Sequence, residues 1–177
     1  MRLLPIAILV AMLSGCATPS AAPRHYLDEE TAATVTITAQ PWIFFHRRPG
    51  RREFLSLYAI DVNRQGAHLQ YIAALISMPP PLSDPSQLTL ELQGGGQTLS
   101  LRPTLEDTRQ LGFVKPVAPA YTLGSSWWYF PVTKDILGTV VRSKDLGATV
   151  VAGEVRVGYT KWRDGSAEIA ELTAILP

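Results

Sequence analysis

Four arginines lie close together in one short stretch of the chain. They stand within six residues, in the run His46-Arg47-Arg48-Pro49-Gly50-Arg51-Arg52. Guanidinium groups bind phosphate and carboxylate oxygens through paired hydrogen bonds. Trp42, Phe44 and Phe45 precede the run, and Pro49-Gly50 predicts a turn. The stretch is therefore either an anion-docking loop or a solvated hairpin tip whose charges protect a sheet edge.

The densest aromatic stretch is Trp127-Trp128-Tyr129-Phe130. On a strand, Trp127 and Tyr129 share one face, while Trp128 and Phe130 share the other. A sandwich buries one face of a strand, so the second pair is either exposed or covered by another segment. Exposed aromatic side chains would mark a site for a protein or a glycan. Burial beneath the connection 105–119 is the structural alternative.

Motifs that identify catalytic or metal sites are not found. The sequence has no Gly-x-Ser-x-Gly elbow, no His-Glu-x-x-His pair and no phosphate-binding glycine loop. The histidines His25, His46 and His68 lack the spacing that puts two ligands on one helix or strand face. We therefore predict no catalytic residue, no cofactor and no metal. An enzyme would have to draw its acids from those nearest predicted loops or element ends, which are Asp61, Asp84, Asp107 and Asp135.

The only cysteine, Cys16, ends the run Leu13-Ser14-Gly15-Cys16. Before it come Arg2 and the apolar stretch Leu3–Leu13, which is too short to span a bilayer, since that needs about 20 residues. Basic start, apolar middle and small residues at the cleavage point resemble the signal segment and lipobox of bacterial lipoprotein precursors. An ordinary secretory signal is the alternative.

The resemblance implies that residues 1–15 are removed and that Cys16 receives fatty acyl chains on its sulfur and its new amine. Two or more chains anchor a protein to a membrane stably. In enterobacterial lipoproteins, an aspartate directly after the cysteine signals retention at the inner membrane, and here Ala17 stands there. We therefore expect a lipid-anchored outer-membrane protein that faces the periplasm.

The charge balance argues against nucleic acid as a partner. The chain has 16 Lys and Arg against 15 Asp and Glu, and Arg2 is the one charge in residues 1–15. The mature chain would be formally neutral, so no global field would attract a polyanion. With its lone cysteine acylated, it would also lack an intramolecular disulfide.

The composition divides the mature chain into a tether and a domain. Residues 16–33 are rich in Ala, Pro, Ser and charge, which predicts a flexible tether spanning roughly 20–24 Å. From Thr34 the pattern changes to an alternation of polar and apolar residues that is typical of half-buried strands. Residues 34–177 are therefore predicted to form a single β-rich domain.

About nine strands are predicted in this domain, with one helix. Two alternating segments that flank Gly94–Gly96 indicate a hairpin, and Ala167–Leu176 is predicted to be the last strand. A helix near residues 134–146 would begin after the cap Thr133, and a strand is the alternative because of Gly138 and the paired valines Val140 and Val141. The turn spacing favours an antiparallel β-sandwich or a partly open barrel.

These features predict a membrane-anchored periplasmic lipoprotein whose domain binds another envelope component, a protein or a glycan, without catalysis. Binding would use the aromatic stretch or the arginine run. The alternatives are an envelope enzyme acting on glycan or lipid, and a passive structural lipoprotein.

Overall fold

The computed structural model describes residues 22–80, 84–119, 124–143 and 145–177. Cys16, the signal segment 1–15 and the first part of the predicted tether lie outside the described residues. Within the described ranges, no helix is both long and apolar enough to cross a bilayer.

The described residues form ten strands, which pair only antiparallel. They are β1 Arg24–Asp28, β2 Ala33–Ile37, β3 Trp42–Arg48, β4 Arg51–Arg64, β5 Ala67–Ile76, β6 Leu88–Gly94, β7 Gln97–Leu101, β8 Ser126–Val132, β9 Gly147–Ala152 and β10 Val155–Arg163. The helices are α1 Thr108–Leu111, α2 Lys134–Arg142 and α3 Ser166–Ile175, with a 3-10 turn at Pro85–Gln87. The predicted fold class, mainly antiparallel β with few helices, is confirmed.

Strand β4 is the centre of the sheet. One of its edges pairs with β5, which in turn pairs with β8. Its other edge is shared, because β3 pairs with Arg51–Leu57 and β2 pairs with Ile60–Asn63. Strand β1 extends the sheet beyond β2. The β3–β4 hairpin turns at Pro49-Gly50, where Gly50 has a φ of 76°, a left-handed value that favours glycine.

Strand β10 connects the two halves of the sheet. Its end, Thr160–Arg163, pairs with β3, while Val155–Tyr159 pairs with β9. Strands β6 and β7 follow β9, so this half folds over the first half. The inner core lies between the halves, and α2 and α3 contribute Leu137, Val140, Ile169 and Leu172 to it.

The outer face of the first half has a second, smaller core. Tyr58, Ile60 and Val62 of β4 project there, opposite to the inner-core residues of the same strand. The connection between β7 and β8 packs over them through buried side chains, which are Leu111, Phe113, Val117 and Ala118. A capping box, in which Asp107 and Gln110 bond each other's backbone N–H, starts α1 within this connection.

The last element is a helix where the sequence predicts a strand. Ala167–Leu176 lies mostly in α3 because its buried residues Ile169, Leu172 and Leu176 have the spacing of one helix face. The helix predicted near residues 134–146 is present as α2, Lys134–Arg142, and the Thr133 hydroxyl caps it by accepting a hydrogen bond from the Ile136 amide.

Part of the segment 16–33, which was predicted to be a flexible tether, belongs to the sheet, because Arg24–Asp28 forms strand β1. Five residue pairs join β1 to β2, from Arg24 opposite Ile37 to Asp28 opposite Ala33. The segment is an edge strand, where charged side chains are tolerated because one side faces solvent. Its composition suggested a coil, and only the pairing with β2 makes it part of the sheet.

Candidate functional site

A groove of about 410 Å³ opens on the outer face of the first half of the sheet. We call it the outer groove. Its floor is a row of paired residues on adjacent strands, running from Arg163 through Ile43 and Ser56 to Leu75. Residues paired in this way point to the same face, so four separate strands contribute to one surface.

One polar group lies among the apolar residues of the floor. Ser56 is 7% exposed and lies between Ile43 and Leu75. Within the described residues its hydroxyl takes part in no hydrogen bond, so it can bond a ligand. Ser77 nearby is occupied, because its hydroxyl accepts a hydrogen bond from the Phe54 amide at 2.7 Å.

Trp162 forms a wall of the groove and is 60% exposed. The pairing of β10 with β3 shifts between Lys161 and Arg163, and this irregularity places Trp162 against Phe54, with ring centroids 5.4 Å apart. Bulges commonly re-aim a side chain in this way. An exposed indole held by another ring is a ready contact for an apolar ligand.

The chain just after Trp162 is held by Asp164. Its carboxylate accepts hydrogen bonds from the Trp42 indole at 3.1 Å and from the Ser166 hydroxyl, and it pairs with Lys161 at 3.0 Å. Burial would raise the pKa of Asp164, but these hydrogen bonds and that of the Ser166 amide outweigh it and lower the pKa. The Asp164 carboxylate is thus bonded to these three side chains, and Asp164 is not among the residues that line the groove.

Two guanidinium groups border the outer groove. Arg24 begins β1 and Arg163 ends β10, and both are exposed. Neither forms a salt bridge within the described residues. The described residues that line the groove include no carboxylate and no imidazole. The site therefore combines an apolar floor with positive charge that lacks an internal partner.

The predicted arginine run does not act as one cluster. It lies at the tip of the β3–β4 hairpin, where residue alternation divides it between the two faces. Arg48 and Arg51 each lie 3.1 Å from the same oxygen of Glu53, which is 2% exposed. Arg47 and Arg52 pair across the hairpin on the other face, which is also the face of the outer groove.

Glu53, on the inner face of this hairpin tip, lies near the buried phenol of Tyr159. Tyr159 is 5% exposed, and its hydroxyl has no hydrogen-bond partner among the described residues. Burial, with a smaller contribution from the Glu53 charge, raises the pKa of Tyr159 to about 12. The Tyr159 phenol therefore stays neutral near pH 7.

The aromatic stretch lies on β8 with its residues on alternating faces, as predicted. Phe130 belongs to the inner core and Tyr129 to the outer one, while Trp127 and Trp128 pack at the margins of these cores. Tyr129 meets Phe113 of the connection, with ring centroids 5.3 Å apart. Burial raises the pKa of Tyr129. Both cores thus use this stretch for packing.

Trp127 and Trp128 also line a shallow hollow of about 540 Å³ beside the connection. Glu106 and Asp107 border the same hollow. Trp127 stacks on Tyr129 and contacts Tyr58, so much of its ring is engaged within the protein. Trp127 and Trp128 are half-buried, whereas Trp162 at the outer groove is exposed.

The acids considered for an enzyme lie in different elements, and three of the four have local side-chain partners. Asp84 caps the 3-10 turn and Asp107 caps α1. Asp61 is 4% exposed and bonds His68 at 2.9 Å and Gln70 at 3.0 Å. Asp135 stands in the first turn of α2. Within the part of the chain that is described, no group of three or more His, Cys, Asp or Glu is placed to hold a metal ion.

Comparisons with known proteins add no assignment. No family model matches the chain, and searches of curated proteins and of solved structures find no significant match. The function is therefore inferred from the geometry of the outer groove.

Three groove residues, Arg24, Trp162 and Arg163, were not among those singled out in the sequence. Arg24 falls within the predicted tether. Trp162 and Arg163 precede the turn at Asp164-Gly165, and a large aromatic in the charged run Lys161-Trp162-Arg163-Asp164 is the one local signal that pointed to them.

Proposed function

We propose that this protein is a lipid-anchored envelope protein whose β-rich domain binds a negatively charged, partly apolar envelope component without transforming it. The supporting observation is the outer groove, with its apolar floor, its exposed Trp162 and two arginines that form no salt bridge within the described residues. Guanidinium groups in such a setting bind phosphate or carboxylate oxygens. The apolar body of the ligand would cover the indole and the floor.

Binding is favoured over catalysis by what lines the groove. General acid–base catalysis needs a carboxylate, an imidazole or a similar group within hydrogen-bond reach of the reacting atoms. The described lining residues offer guanidinium, hydroxyl and apolar groups instead. These groups can bind an anion and an apolar surface. We do not expect them to exchange protons with the ligand near neutral pH.

The envelope location rests on the lipobox resemblance of Leu13-Ser14-Gly15-Cys16. Acylated Cys16 would hold the domain at a membrane without help from the protein surface. Since Ala17 rather than aspartate follows the cysteine, we propose the outer membrane, with the domain in the periplasm. The partner would then be a component of that envelope.

Photo-crosslinking in cells tests the binding proposal. A photoreactive amino acid replaces Trp162 in the groove, and in a matched control it replaces Ile175, which is equally exposed at 63% but lies on α3. We expect a crosslinked envelope component from position 162 and none from 175. Adding Arg24→Gln and Arg163→Gln should reduce the crosslinked yield about tenfold or more, because a charge-assisted contact contributes about 1.5–3 kcal/mol.

A crosslink that persists in the Arg24→Gln, Arg163→Gln protein, or that forms equally at position 175, would contradict specific binding in the groove. Absence of any crosslink at position 162 would favour the passive structural alternative. Circular dichroism of the purified variants checks that the sheet is intact.

A further inference from the structure

The outer groove continues into a longer basic and aromatic surface on the same face. Alternation on β3 and β4 places the Arg47–Arg52 pair, the Phe45–Phe54 pair and then the groove floor in succession along the hairpin. Trp162 lies beside Phe54. We call this surface, from Arg47 and Arg52 through Phe54 and Trp162 to Arg163, the outer strip.

Positive charge on the outer strip has no internal partner. Neither Arg47 nor Arg52 forms a salt bridge within the described residues, as is also true of Arg24 and Arg163. The nearby acids are engaged elsewhere, since Glu53 binds the arginines on the inner face and Asp164 binds Trp42 and Ser166. Four cations, the exposed Trp162 and the half-buried rings of Phe45 and Phe54 thus share one face.

The length of chain before β1 limits how far this face can lie from the anchor. Arg24, which lines the groove, is eight positions after Cys16. Eight residues reach at most about 26–29 Å even when fully extended. If Cys16 is acylated as proposed, the groove entrance therefore stays within that distance of the acylated residue at the bilayer surface.

We propose that the outer groove and the outer strip bind an anionic phospholipid of the membrane that holds the Cys16 anchor. This inference rests on the proposed function and names its ligand. The phosphate of the headgroup bonds the guanidinium groups of Arg24 and Arg163, and an upper acyl segment lies along Trp162 and the apolar floor. Arginine and tryptophan together are suited to this boundary, since guanidinium binds phosphate and indole favours the interface.

Fluorescence quenching by brominated lipids tests the ligand. The mature acylated protein is reconstituted in phosphatidylcholine vesicles that contain some phosphatidylglycerol, and either lipid carries the brominated acyl chains. Comparison with Trp162→Phe isolates the Trp162 signal from the other indoles. We expect brominated phosphatidylglycerol to quench Trp162 several-fold more than brominated phosphatidylcholine does.

Two double variants identify the charges responsible. Arg24→Gln with Arg163→Gln should abolish the preference for phosphatidylglycerol. Arg102→Gln with Arg142→Gln removes the same charge from exposed positions outside the groove lining and should preserve the preference. Equal quenching by the two lipids, or an unchanged preference in the Arg24→Gln, Arg163→Gln protein, would overturn the lipid assignment.

The two proposals fail separately. A protein or glycan crosslinked at position 162, together with equal quenching by the two lipids, would overturn the phospholipid and leave groove binding in place. No crosslink at position 162 to lipid, protein or glycan, together with equal quenching, would overturn both.

Discussion

Asp28 is a single acidic side chain that joins two distant parts of the chain. It is 1% exposed, and its carboxylate accepts hydrogen bonds from the amides of Val114 and Thr31 at 2.8 and 3.2 Å. Burial would raise the pKa of Asp28, but these bonds, with others from Lys115 and the Thr31 hydroxyl, outweigh it and lower the pKa. The ionised carboxylate therefore fastens β1 to the connection that covers the outer core.

We expect Asp28→Asn to lower the free energy of unfolding at pH 7 by about 1–3 kcal/mol, because its amide nitrogen cannot accept these bonds. The Asp28 pKa is lower in the folded than in the unfolded protein, where it is about 3.9. Its contribution is therefore present above pH about 4 and is lost as the pH falls through the folded value. Urea unfolding between pH 7 and pH 2 measures both effects.

Glu29→Gln is the matched control, since Glu29 is the exposed neighbouring acid. It should leave the acid part of the stability curve nearly unchanged. If Asp28→Asn proved as stable as Glu29→Gln at pH 7, the carboxylate would not have the role described here.

At the scale of elements, the junction of β10 and α3 depends on close backbone contact. A Cβ atom on Gly165 would lie 2.7 Å from the Trp42 amide nitrogen and 2.8 Å from the Pro41 carbonyl carbon. These are backbone atoms, so they cannot move aside as a side-chain end can. Gly165 thus lets α3 begin directly against the start of β3, where Trp42 is fully buried.

We expect Gly165→Ala to destabilise the protein by about 1–3 kcal/mol through this overlap. Gly138→Ala in α2 is the contrasting change, because its Cβ would approach only the flexible end of Arg142, at 3.3 Å. Alanine is the better helix former, so this variant should gain about 0.5–1 kcal/mol. Thermal unfolding compares the two, and a Gly165→Ala protein as stable as Gly138→Ala would contradict the packing argument.

At the scale of the whole molecule, one sheet contributes to two cores and forms the floor of the outer groove. Its inner face is covered by its own second half and by α2 and α3. Its outer face is partly covered by the connection before β8, whose residues Ala118 and Pro119 form one side of the groove. The groove thus lies on the outer face next to Ala118 and Pro119, where the connection stops covering the sheet.

The anchor proposal also belongs to the whole molecule. Serine at position 16 lacks the thiol that would carry the lipid, so we expect Cys16→Ser to abolish labelling by radioactive palmitate. The protein should then accumulate as an unprocessed precursor or be released from the membrane fraction. Labelling or membrane fractionation equal to that of the natural chain would contradict the lipoprotein assignment.

Local patterns predicted most of the strands correctly. The alternation in Ala33–Ile37, the hairpin around Gly94–Gly96 and the helix after Thr133 are all present. In the strand and the hairpin the spacing of apolar residues agrees with one secondary structure only. After Thr133 a strand was the alternative, and the burial of Leu137 and Val140 on one helix face in the inner core selects the helix. The segment 167–176 was predicted wrongly because its short Ala, Glu, Leu and Ile pattern partly fits both periods, and burial against the inner core selects the helix.

The sequence by itself therefore determined the β-rich class, the position of α2 and the alternating faces of Trp127–Phe130, since each follows from periodicity within a few residues. Only the tertiary structure decided that Arg24 lies in a strand, that Arg47 and Arg48 face opposite sides, and that Trp162 joins a groove. Arg24 and Arg163 are far apart in the sequence. They line the same groove because β1 pairs with β2 and β10 pairs with β3. Strand register between distant segments depends on which faces pack together in the folded chain, and no local pattern specifies it.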